Sequence, residues 1–167
     1  MRKQYGVVTG IVESVNDPDG EGRILLRFPE MPGNNQSYWA PVATLMSGGG
    51  RGSWFMPEDG DEVLCAFQQG DVNHPFVIGF LWNGQDRPPT TDRNLRTIRS
   101  VNGHEISIYD PGVSQGDAGY IRLKDAHGNK VELRNGGITI ESMGTISIAA
   151  PNVQINRRPV VPVPSQI

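Results

Sequence analysis

The chain has 167 residues, of which 37% are hydrophobic, and it contains 21 glycines and 13 prolines. This length fits one ordinary domain or a small domain with an extension, and the glycine and proline content predicts many turns and few long helices. The formal net charge of −3 excludes the whole-chain basic field that dominates nucleic-acid binding.

The N-terminal stretch MRKQYGVVTGIVESV begins with basic residues, but Thr9, Gly10, Glu13 and Ser14 interrupt its apolar part too early for a signal peptide. Elsewhere no apolar run approaches the ~18 residues that a membrane-spanning helix requires. We therefore expect a protein that is made in the cytoplasm without a secretion signal of its own.

The first 84 residues have the pattern of short strands separated by turns. Asp19-Gly20 is the sharpest turn signal, and Pro41 indicates an edge or a bulge in the third strand. The predicted strands are 5–15, 23–29, 38–45, 62–67 and 75–82, with a flexible glycine-rich loop at 48–52. Five strands in this length predict a five-stranded Greek-key barrel, the OB-fold, although a small SH3-like barrel fits the strand count as well.

Cys65 is the only cysteine, so no intrachain disulfide is available. It alternates with Val63 and Phe67, which predicts a position on one face of a strand. This pattern favours a buried structural cysteine over a reactive thiol, and it fits synthesis in a reducing compartment.

The segment 83–94 is polar and contains prolines, which is typical of a linker, and after it the pattern changes. A series of apolar-x-apolar pairs follows, whose first members lie 15, 10, 7, 8 and 7 positions apart. The longest step contains DPGVSQGDAG, which we interpret as a loop insertion. The remaining spacing, near eight, is typical of short β repeats. The pairs are Ile106/Ile108, Ile121/Leu123, Val131/Leu133, Ile138/Ile140, Ile146/Ile148 and Val153/Ile155.

The apolar side chains of these pairs must be buried, and a single chain does not supply enough surface to bury them. Burying the ten apolar residues from Ile121 to Ile155 is worth ~15–30 kcal/mol per chain as an upper bound. A single-chain β-helix uses about three strands per coil, so six pairs make roughly two coils, too few for a capped core. Three identical chains, each giving one strand per layer, bring the apolar faces together on a common axis.

The sequence therefore predicts an all-β protein with an N-terminal OB-fold barrel and a C-terminal trimeric β-helix or β-prism. The expected boundaries are a barrel at 1–84, a linker at 85–97, a spike at 98–158 and a proline-rich tail at 159–167. The alternative is an ordinary antiparallel sheet that folds back on the barrel, because HGN and NGG are acceptable hairpin turns.

Two long stretches carry a resemblance to a known family. GRILLRFPEM and SYWAPVATLMSGGGRGSWFMPEDGDEVLCAFQQGDVNHPFVIGFLWNG resemble the OB-fold domain of the central spike proteins of contractile injection systems, namely phage baseplate assembly protein V and type VI secretion VgrG proteins. RTIRSVNGHEISIYD and IRLKDAHGNKVELRNGGITIES resemble the start of the VgrG β-helix. The resemblance covers residues 5 to 155.

The resemblance implies a homotrimer that joins the baseplate hub to a tip that punctures the target cell envelope when the sheath contracts. It also implies a separate hub protein at the barrel end and a PAAR-type tip protein at the other end. The linker leaves no room for a lysozyme domain, and the chain has no His-x-His motif for an apical iron. We therefore expect no enzyme activity, no metal and no cofactor, in a particle that is delivered outside the cell.

The remaining motifs favour structural roles. His74, His104 and His127 are far apart in sequence, and only His104 is a weak candidate for an axial site. The loop GGGRG lacks the Lys-Ser/Thr of a phosphate loop, and the four carboxylates of PEDGDE are typical of a solvated turn. Prolines prevent the tail from continuing the strand ladder, so it closes the end of the rod, contacts a tip protein or is disordered. The candidate tip contacts are Pro159, Val161, Pro162 and Pro164.

Two other function classes fit parts of the sequence. An OB-fold that binds single-stranded nucleic acid would stack bases on Tyr38, Trp39 or Trp54. The acidic net charge and the unexplained repeat argue against it. A carbohydrate-active β-helix enzyme would need more coils and a groove lined by carboxylates.

Overall fold

The computed structural model describes residues 3–33, 36–112, 118–156 and 158–159. The described chain is built from β-strands, with a single 3-10 turn at Gln68–Gly70 and no α-helix among these residues. It forms two compact units, Met1–Pro88 and Pro89–Ile167. Among the described residues, no helix is long and apolar enough to cross a membrane.

The first unit contains a five-stranded antiparallel sheet in the order β3-β2-β1-β6-β7. After β3, Val42 bridges Val77 of β7 in parallel, and the Ala43 amide donates to the Val77 carbonyl at 2.8 Å. This contact links the two edges of the sheet, so the predicted OB-fold barrel is confirmed. The strands are β1 (Val7–Ser14), β2 (Arg23–Arg27), β3 (Ala40–Pro41), β6 (Glu62–Phe67) and β7 (Pro75–Phe80), with a small hairpin of β4 (Ser47–Gly48) and β5 (Arg51–Gly52).

Two details of the barrel differ from the sequence prediction. The sequence predicts the third strand over 38–45, but only Ala40–Pro41 form a strand, because this segment crosses from β2 to β7 and makes two residue pairs with β2 and a single bridge with β7. The glycine-rich loop is a hairpin, in which Ser47 pairs with Gly52.

Alternating residues of the barrel strands point inward and form one apolar core. Phe28 and Phe67 meet edge to face, with ring centroids 5.4 Å apart. Cys65 is fully buried among these side chains, and burial raises the pKa of its thiol to about 12, which confirms the buried, unreactive cysteine. The buried core consists of Val12, Ile24, Leu26, Phe28, Ala40, Val63, Cys65, Phe67 and Val77.

The turn before β2 is organised by one carboxylate. Asp17 accepts hydrogen bonds from the amides of Asp19, Glu21 and Arg23, and its two oxygens also receive the Arg23 guanidinium at 3.0 and 2.7 Å. The Arg23 side chain holds the pKa of Asp17 well below its usual range. The guanidinium therefore neutralises an acidic turn that the sequence alone could suggest as a cation site.

The second unit contains a five-stranded antiparallel meander in which each strand pairs with its neighbours along the chain. Gly103 and Gly128 adopt positive φ angles of 89° and 97° in two of its turns, a conformation that glycine adopts without strain. The strands are β8 (Leu95–Arg99), β9 (Glu105–Tyr109), β10 (Tyr120–Lys124), β11 (Lys130–Arg134) and β12 (Gly137–Glu141).

This meander corrects part of the sequence interpretation. The turns containing HGN and NGG are hairpins, as the alternative interpretation supposed, so strands β8 to β12 find their hydrogen-bond partners within one chain. Strand β8 begins at Leu95, inside the segment 85–97 predicted as a linker, and it was missed. Residues 142–153 form no strand, and in the described part of the chain beyond them β13 (Gln154–Ile155) pairs with β14 (Arg158–Pro159).

The glycine of strand β1 provides a test of the barrel core. A Cβ at Gly10 would lie 3.1 Å from the Phe28 ring and 3.3 Å from the Cys65 sulfur, whereas a Cβ at Gly79 of β7 would meet nothing within 4 Å. Gly10→Ala should lower the free energy of unfolding of the barrel by about 1–3 kcal/mol through overpacking.

Urea denaturation followed by tryptophan fluorescence measures this effect, since all three tryptophans, Trp39, Trp54 and Trp82, belong to the barrel unit. Gly79→Ala is the matched control and should change the midpoint little. Equal midpoints for the two variants would contradict the packing described here.

Candidate trimer interface

The two faces of the meander differ completely in character. Its register aligns two apolar rows across the strands, on one face of the sheet. One row is Ile98, Ile106, Leu123, Val131 and Ile140, and the other is Arg96, Ile108, Ile121, Leu133 and Ile138. The sheet therefore presents an almost continuous apolar surface that extends over all five strands.

This apolar surface is uncovered in the single chain. Ile108 is 43% exposed, Ile121 48% and Ile138 69%, and the other apolar residues of the rows are also exposed except Val131, which is half-buried. A fully buried aliphatic side chain is worth about 1.5–3 kcal/mol, so on the order of 1 kcal/mol per residue is still available from further burial. An apolar face of this size normally marks an interaction surface.

Arg96 is the one charged residue in the apolar rows. Its guanidinium donates to the Asp110 carboxylate at 2.9 Å and to the Asn94 carbonyl at 3.0 Å. These contacts hold the charge at the end of the strand. Arg96 occupies a position where the apolar-x-apolar repeat would have an apolar residue. For this reason β8 does not show the repeat pattern in the sequence.

The opposite face is polar and is organised around Glu132. The Glu132 carboxylate forms ion pairs with Arg134 and with Arg122, whose Nε lies 2.6 Å from Glu132 Oε2. Hydrogen bonds from Arg134 and Arg122 lower the pKa of Glu132 from 4.5 to about 2. The Arg122 guanidinium lies 4.0 Å above the Tyr120 ring, and Tyr120 stacks on Tyr109 with centroids 5.3 Å apart. This network covers the polar face of the sheet with its own side chains.

Four of the predicted interface residues lie beyond the meander. Ile146, Ile148 and Ile155 are 52%, 70% and 65% exposed, and Val153 is half-buried. Ile146 and Ile148 do not belong to any strand of this chain, and Ile155 lies in β13.

The structure brings together two histidines that the sequence separates. His104 and His127 lie in neighbouring turns with ring centroids 6.0 Å apart, and His104 Nδ1 accepts a hydrogen bond from the Ala126 amide at 3.3 Å. His74 is elsewhere and contacts Asp71 at 3.0 Å. Among the described residues, no group of three or more His, Cys, Asp or Glu side chains is placed to hold a metal ion.

The other residues singled out in the sequence are in structural positions. In PEDGDE, the Glu58 amide donates to the Asp61 carboxylate at 2.9 Å, which closes a turn. Tyr38 and Trp54 are exposed and Trp39 is half-buried. Of the candidate tip contacts, Pro159 ends β14, whereas Val161, Pro162 and Pro164 lie outside the described residues.

Family comparisons agree with both units. The description "type VI secretion system/phage-baseplate injector OB domain" matches residues 8–82. The description "phage baseplate V C-terminal trimerisation domain" matches residues 96–161. The second match begins at the second residue of β8, and it covers the rest of the meander and the segment that follows it.

The chain is also similar to parts of several long spike proteins. The type VI secretion system spike protein VgrG5 of Pseudomonas aeruginosa is 33% identical over 90 residues, which are 52% of this chain and 11% of that protein. VgrG3 of Vibrio cholerae is 26% identical over 113 residues, 60% of this chain and 11% of the relative. The actin cross-linking toxin VgrG1 of Vibrio cholerae is 28% identical over 108 residues, 57% of this chain and 10% of the relative. The matches thus span about a tenth of each relative.

The polar face gives a prediction for the dependence of stability on pH. Because folding lowers the pKa of Glu132 from 4.5 to about 2, its contribution is present above pH 4.5 and is lost as the pH falls towards 2. The melting temperature of the second unit, followed by circular dichroism, should therefore fall over this interval. Glu132→Gln should lower the melting temperature at pH 6 and make the acid-induced decline shallower.

Glu141→Gln is the control, because Glu141 makes only an exposed pair with Lys130 at 3.2 Å. It should leave the melting temperature and its pH profile nearly unchanged. If both variants had the pH profile of the parent protein, the Glu132 network would not be what stabilises this face.

Proposed function

The chain belongs to the family of phage baseplate V and type VI secretion spike proteins, and we propose that it is the central spike of a contractile injection machine. In this proposal three copies form a homotrimer that joins the baseplate hub to the piercing tip. The trimer would pass through the target cell envelope when the sheath contracts. The two matched domains are an injector OB domain and a trimerisation domain, and we assign this chain a structural role without enzyme activity.

The observation that carries the proposal is the pair of uncovered apolar rows on the meander. In a threefold assembly, three such faces converge on one axis and exclude water, while the networks around Glu132 remain outside. With strands stacked ~4.8 Å apart, the five strands make a wall roughly 20 Å tall. Each chain then supplies one wall of a triangular prism, since its strands are already paired within the chain.

We propose that sister chains also cover the apolar residues beyond β12. Residues 142–153 leave the meander without forming a strand, so they are free to pair with another chain. The proposed trimer core is Ile106, Ile108, Ile121, Leu123, Val131, Leu133, Ile138, Ile140, Ile146, Ile148, Val153 and Ile155.

The two ends of the trimer are assigned to different partners. We propose a separate hub protein at the barrel end and a PAAR-type tip protein at the C-terminal end, contacted through Pro159, Val161, Pro162 and Pro164. The particle is assembled in the cytoplasm and reaches the outside of the cell through contraction. The type VI secretion names of the relatives support this placement.

A nucleic-acid-binding barrel is not favoured. Residues 1–88 contain six Lys and Arg residues and eleven Asp and Glu residues, a net charge of −5 with histidines neutral. A single-stranded nucleic acid is bound by a positively charged groove, and an acidic barrel would repel its phosphates.

Two adjacent residues of β12 test the proposed core. Ile138 lies in the apolar rows and Thr139 lies on the opposite face, and both side chains are exposed in the single chain. Ile138→Asn should place three unsatisfied amides in the trimer core, each costing about 1–3 kcal/mol. The variant should form trimers only at much lower urea than the parent, and it should abolish particle activity in the producing strain.

Thr139→Asn is the matched control and should leave both trimer stability and particle activity close to the parent. Trimer dissociation is measured by light scattering in a urea series. Equal sensitivity of the two variants would mean that the apolar face is not buried between chains.

A further inference from the structure

A second uncovered apolar surface lies on the barrel unit. Six large side chains line one cleft of about 880 Å³, and we name them the barrel patch: Leu45, Met46, Trp54, Phe55, Ile78 and Phe80. Leu45 is 94% exposed and Trp54 71%. Six such residues around one cleft are more than the scattered apolar side chains of an ordinary surface, so the patch needs a partner.

The barrel patch is held in a fixed shape. Ile78 and Phe80 point outward from β7 because Val77 points into the core. The segment that carries Leu45 and Trp54 is tied by the Ser53 amide, which donates to the Met46 carbonyl at 3.0 Å. A Cβ at Gly22 would lie 2.7 Å from the Trp54 ring, so this ring rests directly on the backbone of the turn before β2. The cleft is therefore preorganised for binding.

The charge distribution indicates which partner fits. The barrel carries a net charge of −5, so identical barrels repel one another over most of their surface. Among the residues that line the cleft, Glu21 and Arg51 are the ionisable ones, and their charges cancel. The barrel patch is thus a neutral, apolar region of an acidic domain, where two copies can approach without a like-charge penalty.

We propose that the barrel patches of three sister chains converge on the threefold axis and cover one another. This inference rests on the homotrimer proposed above, and it adds a second contact that involves the barrel itself. Side chains that lie at the threefold axis itself meet their own equivalents from the other two chains, so the patches can cover one another there, although contacts off the axis join different surfaces.

The covalent link makes this contact easy to form. Fourteen residues, 81–94, separate β7 from β8, which limits their span to ~50 Å. Trimerisation through the second unit therefore keeps three barrels at an effective concentration in the millimolar range, where even a modest apolar patch associates.

Cysteine labelling of the full chain tests the inference. Leu45→Cys places a thiol in the barrel patch, and Glu30→Cys places one at an exposed site that does not line the cleft. The native Cys65 is buried and does not compete. In purified trimers without any hub protein, a maleimide should modify Leu45→Cys at least tenfold more slowly than Glu30→Cys, and both should react equally in denaturing urea.

Equal labelling rates in a verified trimer would overturn the inference and leave the patch to a different partner. A protein that is not a trimer by light scattering would instead overturn the proposed function. A second pair of variants tests the same contact without an introduced cysteine. Leu45→Asp should lower the urea midpoint of trimer dissociation, whereas Tyr38→Asp, which lies outside the cleft, should not. Equal midpoints for these two variants would also contradict the inference.

Discussion

The apolar face of the meander is the constraint on which the rest of the molecule depends. Its five strands pair with one another within one chain, but two rows of isoleucine, leucine and valine remain open to water. Strand pairing and side-chain burial are therefore separated: the strands of one sheet pair within one chain, whereas burial of the apolar face needs other copies. This separation suits a trimerisation domain, because each chain can contribute a folded β-sheet whose apolar face is then buried between chains.

The two units solve the burial problem in different ways. The barrel closes on itself and buries nine apolar side chains among its described residues, Phe28 and Phe67 included, so it has a core of its own. Among the described residues of the second unit there is no comparable core, and the two most buried of them, Ser107 and Glu132, lie on the polar face. Ion pairs and stacked tyrosines protect that face, which is suited to an exterior in water, while the apolar face is suited to a dry axis.

Much of this organisation could be predicted from the sequence, because period-two alternation identifies strands and their inner faces. The limits have physical causes. Strand β8 was missed because Arg96 interrupts the apolar row and is held by Asp110, a contact invisible in sequence. The third barrel strand was predicted too long because its segment divides its pairing between β2 and β7. The proximity of His104 and His127 depends on the meander, which sequence spacing did not specify.

The most direct test is the mass of the full chain in solution, measured by light scattering at low protein concentration and in mild urea. One chain has a mass of 18.3 kDa, so three have about 55 kDa. The account predicts a trimer that persists as the protein is diluted, because each chain leaves its apolar face uncovered. A stable 18.3 kDa monomer would contradict it. The apolar rows would then remain exposed to water in the stable protein, and their burial would not drive the formation of a trimeric spike.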